Sequence, residues 1–434
     1  MEYVELLKKY GFSDKDIQRI IQKRGKTAPS TAEDHISELK KFFNMSDSEL
    51  VQFINDAPNL IGADILSEAS TSVKSKTEYY KKTFGLSDES TKKFVCAFPA
   101  LLTYDITDKT AEGNENYVSP HSKGPNDTTV PEKIRFFKKI LMLSDKEVLK
   151  VIKKFPMLLG YDIYSNEPTS ILSKVNFYKD LLGFDDAEVA NFIRKLPQLL
   201  SYDAGTSEES KKNPSSIITK YEFYKKTFNL TDSQASHMIK QLPSLLSYDT
   251  VSDSPKSVKG KLAFYQKKLG LSDEELRRFI FAVPCALGYD TISTLPSSAS
   301  AKIDRLLEIG TVEDIKKNPR CLCLPAQKVK VRAMLIADID NNPIASNNLM
   351  IREQKLYARR CYLASHKIPI TWTELFRNEG NFQSVNNISS DSLMNIYPLT
   401  DEALKEIEEA YNKLGKRPLH LDESERVAIL GDEE

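Results

Sequence analysis

An internal repeat constrains the fold of this chain more than any other feature of its sequence. In six segments an aspartate is followed eleven positions later by a proline, and that proline is followed six positions later by a second aspartate. The triplets are Asp47-Pro58-Asp64, Asp88-Pro99-Asp105, Asp145-Pro156-Asp162, Asp186-Pro197-Asp203, Asp232-Pro243-Asp249 and Asp273-Pro284-Asp290. A spacing that recurs in this way predicts an array of similar structural units that stack on one another.

Each unit has the pattern of two helices and a tight turn. In the segment 257–290 the first helix has apolar residues at helical spacing and ends at Gly270. Ser272 and Glu275 form a capping box that begins the second helix, which ends before Pro284. The few residues that follow the proline suit a 3₁₀ turn. The predicted fold class is therefore all-α: a right- or left-handed α-solenoid of two-helix repeats, each closed by a short 3₁₀ turn.

The regular repeats are predicted to occupy the middle of the chain. Residues 1–30 match the two-helix pattern but lack the proline, which indicates an N-terminal capping half-repeat. Residues 31–300 hold the six regular repeats, and residues 301–367 are predicted to form degenerate, basic repeats. Residues 368–434 are predicted to form a C-terminal cap helix and an acidic tail. The extra length between repeats falls in polar stretches such as 106–130, which indicate surface loops.

Composition and charge exclude several classes of protein. Lys plus Arg and Asp plus Glu both number 61, so bulk positive charge is not available to coat nucleic acid, although a basic patch is. Only 16 of the 434 residues are glycine, which argues against glycine-rich phosphate loops. No apolar stretch reaches the length of a membrane-spanning helix, so we expect no membrane partner.

The cysteines and the start of the chain bear on its location. Five scattered cysteines do not make a disulfide framework and fit a reducing interior. Acidic residues such as Glu2 and Glu5 are unlike an acid-poor transit peptide. We therefore expect an intracellular protein of the cytoplasm or nucleoid. The alternative is a protein of the mitochondrial or plastid matrix whose presequence has been removed.

Two recurrent side-chain patterns within the repeats have a structural interpretation. Five units carry an aromatic pair nine and eight residues before the first aspartate, which we predict to form inter-helix core rather than a base-stacking platform. A lysine precedes each pair by three positions, and five of the second aspartates follow a tyrosine. The lysines are Lys76, Lys133, Lys174, Lys220 and Lys261. We predict that each lysine forms an ion pair with the aspartate of a Tyr-Asp sequence and holds adjacent units in register.

The repeats resemble those of a known family. The run Phe-Tyr-x-Lys-Lys-Leu-Gly-Leu-Ser-Asp-Glu-Glu-Leu at 264–276, and the Pro-x-Leu-Leu sequences that begin at Pro99, Pro156, Pro197 and Pro243, are similar to the helical repeat of mitochondrial transcription termination factors, the mTERF family. Two Lys-x-x-x-Arg segments, Lys328 to Arg332 and Lys355 to Arg359, resemble C-terminal helices of the same family. The resemblance covers roughly residues 1–365.

This resemblance implies both a shape and a role. It implies an all-helical superhelix with a basic concave groove for double-stranded DNA, or for RNA in some members. It also implies a part in organellar transcription or RNA processing, without catalysis.

Basic residues recur on the second helix of the units and in the stretch that follows the repeats. They are a candidate ridge that follows a phosphate backbone. For any single residue the alternative is an ordinary solvated helix end, because the helix macrodipole favours cations there. The predicted nucleic-acid-binding residues are Lys150, Lys153, Lys154, Arg194, Lys195, Arg277, Arg278, Lys328, Arg332, Arg352, Lys355, Arg359 and Arg360.

Charge is distributed unevenly towards the end of the chain. Residues 320–367 hold nine basic and three acidic residues, a local net charge of +6. Residues 401–434 hold eleven acidic and five basic residues, a net charge of −6. We interpret the acidic tail as a solubilising cap; the alternative is a segment that competes with nucleic acid for the basic groove.

No other motif indicates chemistry. Cys321-x-Cys323 lacks the second pair of ligands that a zinc site needs, and the five histidines have no ligand spacing. We therefore predict no enzyme activity, no metal and no cofactor. The predicted function is that of a monomeric, non-catalytic protein that binds double-stranded DNA and regulates transcription in the manner of a termination factor. The alternatives are a protein-interaction scaffold, as many α-solenoids are, and an RNA-binding or RNA-processing factor.

Overall fold

The computed structural model describes residues 3–25, 27, 29–108, 128–165, 167–207 and 209–431. All regular secondary structure in these residues is helical. The predicted loop at 106–130 lies largely outside the described residues, as does the end of the acidic tail. The chain divides into two compact units, Met1–Ile218 and Thr219–Glu434.

The α-helices follow one another in short pairs. The first unit contains α1 (Tyr3–Lys9), α2 (Asp14–Arg24), α3 (Ala32–Phe42), α4 (Asp47–Asp56), α5 (Val73–Phe84), α6 (Asp88–Ala97), α7 (Val130–Ile140), α8 (Asp145–Lys154), α9 (Ile171–Leu182) and α10 (Asp186–Lys195). Helix α11 (Ile217–Phe228) spans the boundary. The second unit continues with α12 (Asp232–Gln241), α13 (Val258–Leu269), α14 (Asp273–Ala282), α15 (Ala299–Ile309), α16 (Val312–Lys317), α17 (Val329–Ile336), α18 (Glu353–Ser365), α19 (Trp372–Phe376), α20 (Glu379–Asn386), α21 (Ser390–Ile396), α22 (Asp401–Asn412) and α23 (Glu423–Leu430).

A five-residue 3₁₀ turn follows the second helix of each regular repeat, as predicted. These turns are Pro58–Gly62, Pro99–Thr103, Pro156–Gly160, Pro197–Ser201, Pro243–Ser247 and Pro284–Gly288. A seventh turn, Pro319–Cys323, follows the short helix α16, so one repeat beyond the regular six keeps the same frame. The third and fourth residues of each turn are buried in the core, which is why these positions are apolar throughout. The all-α repeat fold is confirmed.

Local sequence signals explain where the helices begin and end. The capping box at Ser272 and Glu275 is present, with the Glu275 amide donating to Ser272 Oγ and the Ser272 amide donating to the Glu275 carboxylate. Helix α13 ends at Gly270, whose φ of 58° lies in the left-handed region that glycine adopts without steric cost. Asn229 takes the same position after α11 with a φ of 53°. Asparagine is among the few other residues that tolerate this conformation.

The prediction for the recurrent lysine was wrong in its partner. The ammonium group donates to a backbone carbonyl of the 3₁₀ turn in the same repeat, 26 residues further along the chain. The Nζ to O distances are 2.8 Å for Lys76 to Leu102, 2.7 Å for Lys133 to Leu159, 2.7 Å for Lys174 to Leu200, 2.9 Å for Lys220 to Leu246 and 2.7 Å for Lys261 to Leu287. The physical reason is that this carbonyl faces the core, where an acceptor without a donor is costly.

The aspartate of the Tyr-Asp sequence instead organises the connection to the next repeat. The carboxylate of Asp162 accepts hydrogen bonds from the amides of Tyr164 and Ser165, which is an Asx-type turn. Its backbone carbonyl accepts a hydrogen bond from the amide of Ile171, the first residue of α9. Asp249 and Asp290 make the same two kinds of contact. The aspartate therefore fixes the start of the following helix.

The tyrosine of the Tyr-Asp sequence contacts the lysine of the next repeat. The ammonium of Lys133 lies 5.3 Å from the ring centroid of Tyr104, and that of Lys174 lies 5.3 Å from the ring centroid of Tyr161. Both are cation–π contacts between consecutive repeats of the first unit. The second unit contains the equivalent contact between Lys261 and Tyr248.

The second ring of each aromatic pair forms core, as predicted, whereas the first ring is partly exposed in four of the five pairs. The second ring of each pair is fully or almost fully buried, and where it is a tyrosine its hydroxyl donates to a carbonyl of the 3₁₀ turn. The Oη to O distances are 2.9 Å for Tyr80 to Leu101, 2.9 Å for Tyr178 to Leu199, 2.8 Å for Tyr224 to Leu245 and 2.8 Å for Tyr265 to Ala286. In each repeat that has both the lysine and the tyrosine, these two side chains of the first helix therefore donate to two carbonyls of the 3₁₀ turn.

Lys133 gives this arrangement a measurable pH dependence. Burial lowers the pKa of Lys133 to about 8, partly opposed by the carboxylate of Asp162. Because the unfolded chain holds this proton more tightly than the folded one, the charged lysine costs stability below its folded pKa and the cost disappears as the pH rises. We expect the wild type to gain about 2 kcal/mol over Lys133→Met between pH 7.5 and 9.5.

Urea unfolding of both proteins at the two pH values measures this difference. Lys139→Met is the matched control, because Lys139 is exposed on the same helix. If the stability of the wild type rose just as much relative to Lys139→Met between the two pH values, the pH dependence would not come from the buried Lys133.

Candidate nucleic-acid interface

Helix α8 presents four lysines on one side. Val148 and Ile152 are buried against the core, and the intervals between the lysines bring them together on the opposite side of the helix. The lysines are Lys146, Lys150, Lys153 and Lys154. All four are exposed, and none of them makes a hydrogen bond or an ion pair with a described residue. We call these four residues the α8 lysine face.

Lys146 is absent from the set predicted from the sequence. It lies in the first turn of α8, where a cation opposes the macrodipole, and the sequence prediction considered mainly the later residues of each helix. Its spacing of four residues from Lys150 is the signal that finds it.

Helix α10 adds two predicted residues in the same unit. Lys195 is exposed in its last turn, and Arg194 is half-buried. Hydrogen bonds from Ser144 lower the pKa of Glu147 on α8, and the charge of Arg194 contributes to the same shift. Arg194 therefore lies near the start of α8, so the basic residues of two consecutive repeats are neighbours.

In the second unit α14 carries the two arginines predicted from the sequence. Arg277 is exposed without an ion pair in the described residues. Arg278 lies 3.2 Å from Glu274 in an exposed i, i+4 pair, which is weak and leaves the guanidinium accessible. On α6 the position of Arg277 is occupied by Lys92, which donates to the carbonyl of Asn44 at 2.8 Å. Basic residues at equivalent positions of the second helices are therefore accessible in some repeats and hydrogen-bonded within the fold in others.

The basic stretch at 320–367 differs from the prediction. Lys328 and Arg332 are buried and share one carboxylate, with Lys328 Nζ 3.1 Å and Arg332 Nε 2.8 Å from the two oxygens of Glu353. Burial by itself raises the pKa of Glu353, but Arg332 and Lys328 outweigh it, and the pKa lies below its usual value. A phosphate cannot reach these two cations without displacing the buried glutamate, so the assignment of Lys328 and Arg332 to the interface is corrected.

Arg359 is also a structural residue. Its side chain is 1% exposed and lies over the ring of Phe382, 4.3 Å from the centroid. Its hydrogen-bond acceptors are the carbonyls of Leu375 and Arg377, Ser390 Oγ and Glu379 Oε2, at 3.0, 2.8, 2.8 and 2.9 Å. The sequence prediction placed Arg359 on a basic helix face, and this too is corrected, because the side chain is buried and four of its five N–H groups donate to acceptors within the fold.

The remaining predicted residues of this stretch differ in accessibility. Lys355 is partly buried and forms an ion pair with Glu379. Arg360 donates from both terminal nitrogens to the carboxylate of Asp338, at 2.9 and 2.6 Å, and to the carbonyl of Leu335. Arg352 is exposed at the start of α18. Among the predicted residues of this stretch, only Arg352 presents a side chain that is both exposed and without a hydrogen bond or ion pair to a described residue.

The acidic tail supplies partners for the same basic stretch. Lys330 lies 3.3 Å from Glu425 and 2.7 Å from Glu308, and Glu425 is fully buried. Asp422 accepts a hydrogen bond from Arg305 at 2.5 Å. Helix α22 packs on α17, and α23 packs on the turn that precedes α17. Glu425 is therefore part of the core of the second unit, whereas Asp422, Glu402 and Glu409 are exposed, so the interpretation of the segment as a solubilising cap stays a prediction.

Two further observations concern the described residues as a whole. No group of three or more histidine, cysteine, aspartate or glutamate side chains in the described ranges is placed to hold a metal ion. No helix in the same ranges combines the length and apolar character that a membrane span requires.

Paired helices closed by 3₁₀ turns, with exposed cations on some of the second helices, define a helical-repeat protein of the α-solenoid class. A sequence model of the mTERF family matches residues 1–117 and 109–338, and the chain therefore belongs to the mTERF family. The comparison with curated proteins gave no match. Membership of this family indicates a nucleic-acid-binding, transcription-related helical-repeat protein, of a kind that is generally non-catalytic and typically organellar or nucleoid-associated.

Proposed function

We propose that this chain is a non-catalytic protein that binds double-stranded DNA through phosphate contacts and thereby regulates transcription, as a termination factor does. The observation that carries the proposal is the α8 lysine face, where four exposed cations lie on one side of one helix without a partner in the part of the chain that the structure describes. Arg194 and Lys195 on α10 extend it, and Arg277, Arg278 and Arg352 are the contacts that we propose for the second unit.

The dimensions of the α8 lysine face suit a phosphate backbone. At a rise of 1.5 Å per residue, the eight-residue interval from Lys146 to Lys154 spans about 12 Å. One strand of duplex DNA has about three or four phosphates along this length. Lysine ammonium groups on flexible stems neutralise phosphates without reading base edges. We therefore expect affinity with little sequence preference from this face.

The test is the salt dependence of binding to random duplex DNA. We expect the variant in which Lys146, Lys150, Lys153 and Lys154 are all replaced by glutamine to have a slope of log Kobs against log salt that is less negative by about 3 to 4. Between 50 and 200 mM salt the wild type would then lose about 100-fold more affinity than the variant. Fluorescence anisotropy titrations at several salt concentrations measure both slopes.

The chain offers a control with the same change in net charge. Four exposed lysines in the last turns of first helices are distributed over four repeats, and they have no ion pair in the described residues. They are Lys82, Lys139, Lys226 and Lys267. Their quadruple glutamine variant is expected to keep the wild-type slope to within about one unit.

The other outcomes decide between the remaining functions. Equal effects of the two quadruple variants would contradict the α8 lysine face as the contact surface. Tighter binding to duplex RNA than to duplex DNA would replace the DNA proposal with an RNA-binding function. No binding to any nucleic acid at low salt would overturn the proposal and favour a protein-interaction scaffold.

A further inference from the structure

Two cysteines of consecutive repeats meet in the second unit. Cys285 is the second residue of the 3₁₀ turn Pro284–Gly288, and Cys323 is the last residue of the turn Pro319–Cys323. Both thiols are free, and their Sγ atoms lie 3.2 Å apart. A disulfide requires a sulfur to sulfur distance of about 2.05 Å, so the two atoms need to approach by roughly 1.2 Å.

The surroundings of the pair favour a thiolate at Cys285. Either sulfur can donate in the contact between the two thiols, but once Cys285 is ionised only the thiol of Cys323 can, and the hydroxyl of Tyr289 lies 3.6 Å from the sulfur of Cys285. The ammonium of Lys302 lies 4.5 Å from the centroid of the Tyr289 ring and is held by the carbonyls of Leu322 and Leu324. The hydrogen bond from Cys323, that from Tyr289 and the charge of Lys302 together lower the pKa of Cys285 despite its partial burial.

The other three cysteines lack these properties. Cys321 is buried, and burial raises its pKa to about 12. Burial also raises the pKa of Cys96 and of Cys361. Because thiolate character and access control the reactivity of cysteine, oxidants should distinguish the pair from the remaining thiols. Access is available, since Cys323 is exposed and Cys285 is half-buried.

We propose that Cys285 and Cys323 are an oxidation site at which hydrogen peroxide forms an intramolecular disulfide between consecutive repeats. The Cys285 thiolate attacks one peroxide oxygen, the O–O bond breaks, and Cys285 becomes a sulfenic acid while hydroxide leaves and is protonated to water. The Cys323 thiol then attacks the sulfenic sulfur, the S–S bond forms, and a second water leaves with its proton. Two thiols are oxidised by two electrons and one peroxide is reduced to two waters.

The bond would tie the turns of two repeats together. It closes a loop across 38 residues of sequence, and a cross-link of this length restricts the unfolded chain. We expect the oxidised protein to unfold at a temperature higher by about 5 °C or more than the reduced protein. This consequence is independent of nucleic acid, so it neither supports nor weakens the proposed DNA binding.

The experiment treats the full chain with hydrogen peroxide and maps the peptides by mass spectrometry without reduction. We expect a cross-linked peptide pair containing Cys285 and Cys323, lighter by two hydrogen atoms than the sum of the free peptides and separated by dithiothreitol. Cys285→Ser and Cys323→Ser should each abolish it. Cys96→Ser, the control at a half-buried thiol of the first unit, should form it to the wild-type extent.

Three results would overturn the proposal. They are free thiols at both positions after treatment, accumulation of sulfinic acid at Cys285 without a cross-link, and cross-links between two chains in place of one within a chain. Circular dichroism of the two serine variants shows that each has folded. If both serine variants fail to fold, the wild-type peptide map alone decides between the disulfide and these three results.

Discussion

Replacing Arg359 with methionine is expected to destabilise the second unit by about 4 kcal/mol. Methionine fills part of the same space but donates no hydrogen bond. The substitution leaves two backbone carbonyls, a hydroxyl and the Glu379 carboxylate without the donor that they share. It also removes the cation from the ring of Phe382, at the centre of a core cluster with Ala358 and Leu393.

The geometry of the guanidinium group explains why no other side chain could make the same hydrogen bonds as Arg359. Its nitrogens form a rigid fork, and in Arg359 the three nitrogens contact groups on three segments that follow α18. These segments are α19 with the residue after it, the start of α20 and the start of α21. One side chain thus joins three short helices. Arg359→Lys keeps the charge and loses the fork, so we expect an intermediate loss of about 2 kcal/mol.

Chemical denaturation with circular dichroism detection measures these changes. Arg352→Met is the control, because Arg352 is an exposed arginine immediately before the same helix, and it is expected to change stability by less than about 0.5 kcal/mol. A stable, fully helical Arg359→Met protein that no longer binds DNA would contradict the structural role and return Arg359 to the interface.

Replacing Glu353 with glutamine is expected to cost about 3 kcal/mol. The change is nearly isosteric but removes the negative charge that Lys328 and Arg332 share. Glu353 is 1% exposed, and both cations are buried with it, so the substitution replaces the carboxylate between two buried positive charges with a neutral amide. The cost is the desolvation of these charges rather than the loss of surface area.

The same triad predicts a pH dependence. The pKa of Glu353 is lower in the folded protein than in the unfolded chain. Its contribution is therefore fully present above the unfolded value of about 4.5 and is lost as the pH falls through the folded value. We expect the difference in stability between the wild type and Glu353→Gln to be constant from pH 8 to about 6 and to shrink under acidic conditions.

Urea unfolding from pH 7 down to the acid limit of the folded state measures this difference. Glu274→Gln is the control, since Glu274 forms only an exposed pair with Arg278, and we expect it to change stability by less than about 1 kcal/mol at any pH. A Glu353→Gln protein as stable as the wild type at neutral pH would show that the triad contributes no net stability.

Features set by short stretches of sequence were predicted well. The capping residues, the left-handed glycine ends and the prolines act within a few residues of their own position, so their consequences follow from spacing alone. The same holds for the buried aromatic residue of each pair, whose helical period relates it to the apolar stripe. The partner of the recurrent lysine did not follow in this way. Leu159 and Asp162 both lie at a constant spacing along the sequence from Lys133, and only the fold shows which of them accepts a hydrogen bond from its ammonium group.

The error at the C-terminal basic stretch has a related cause. Every residue of α17 is buried, so its charged residues do not mark a solvent-facing side as they do on an amphipathic helix. Arg332 pairs with Glu353, 21 residues away, and Lys330 pairs with Glu308 and with Glu425, the second of which is 95 residues away. A local charge of +6 therefore indicated an exposed surface where the fold places buried ion pairs.

The sequence by itself determined the repeating unit, the positions of its helices and turns, and the family to which the chain belongs, because each of these depends on residues close together along the chain. Only the tertiary structure decided which cations are accessible. A lysine in α8 and an arginine in α18 have the same charge and similar helical surroundings, but whether either can meet a phosphate depends on what other segments place around it. Burial and ion pairing are properties of that three-dimensional neighbourhood, and they leave the α8 lysine face exposed while Arg359 is enclosed.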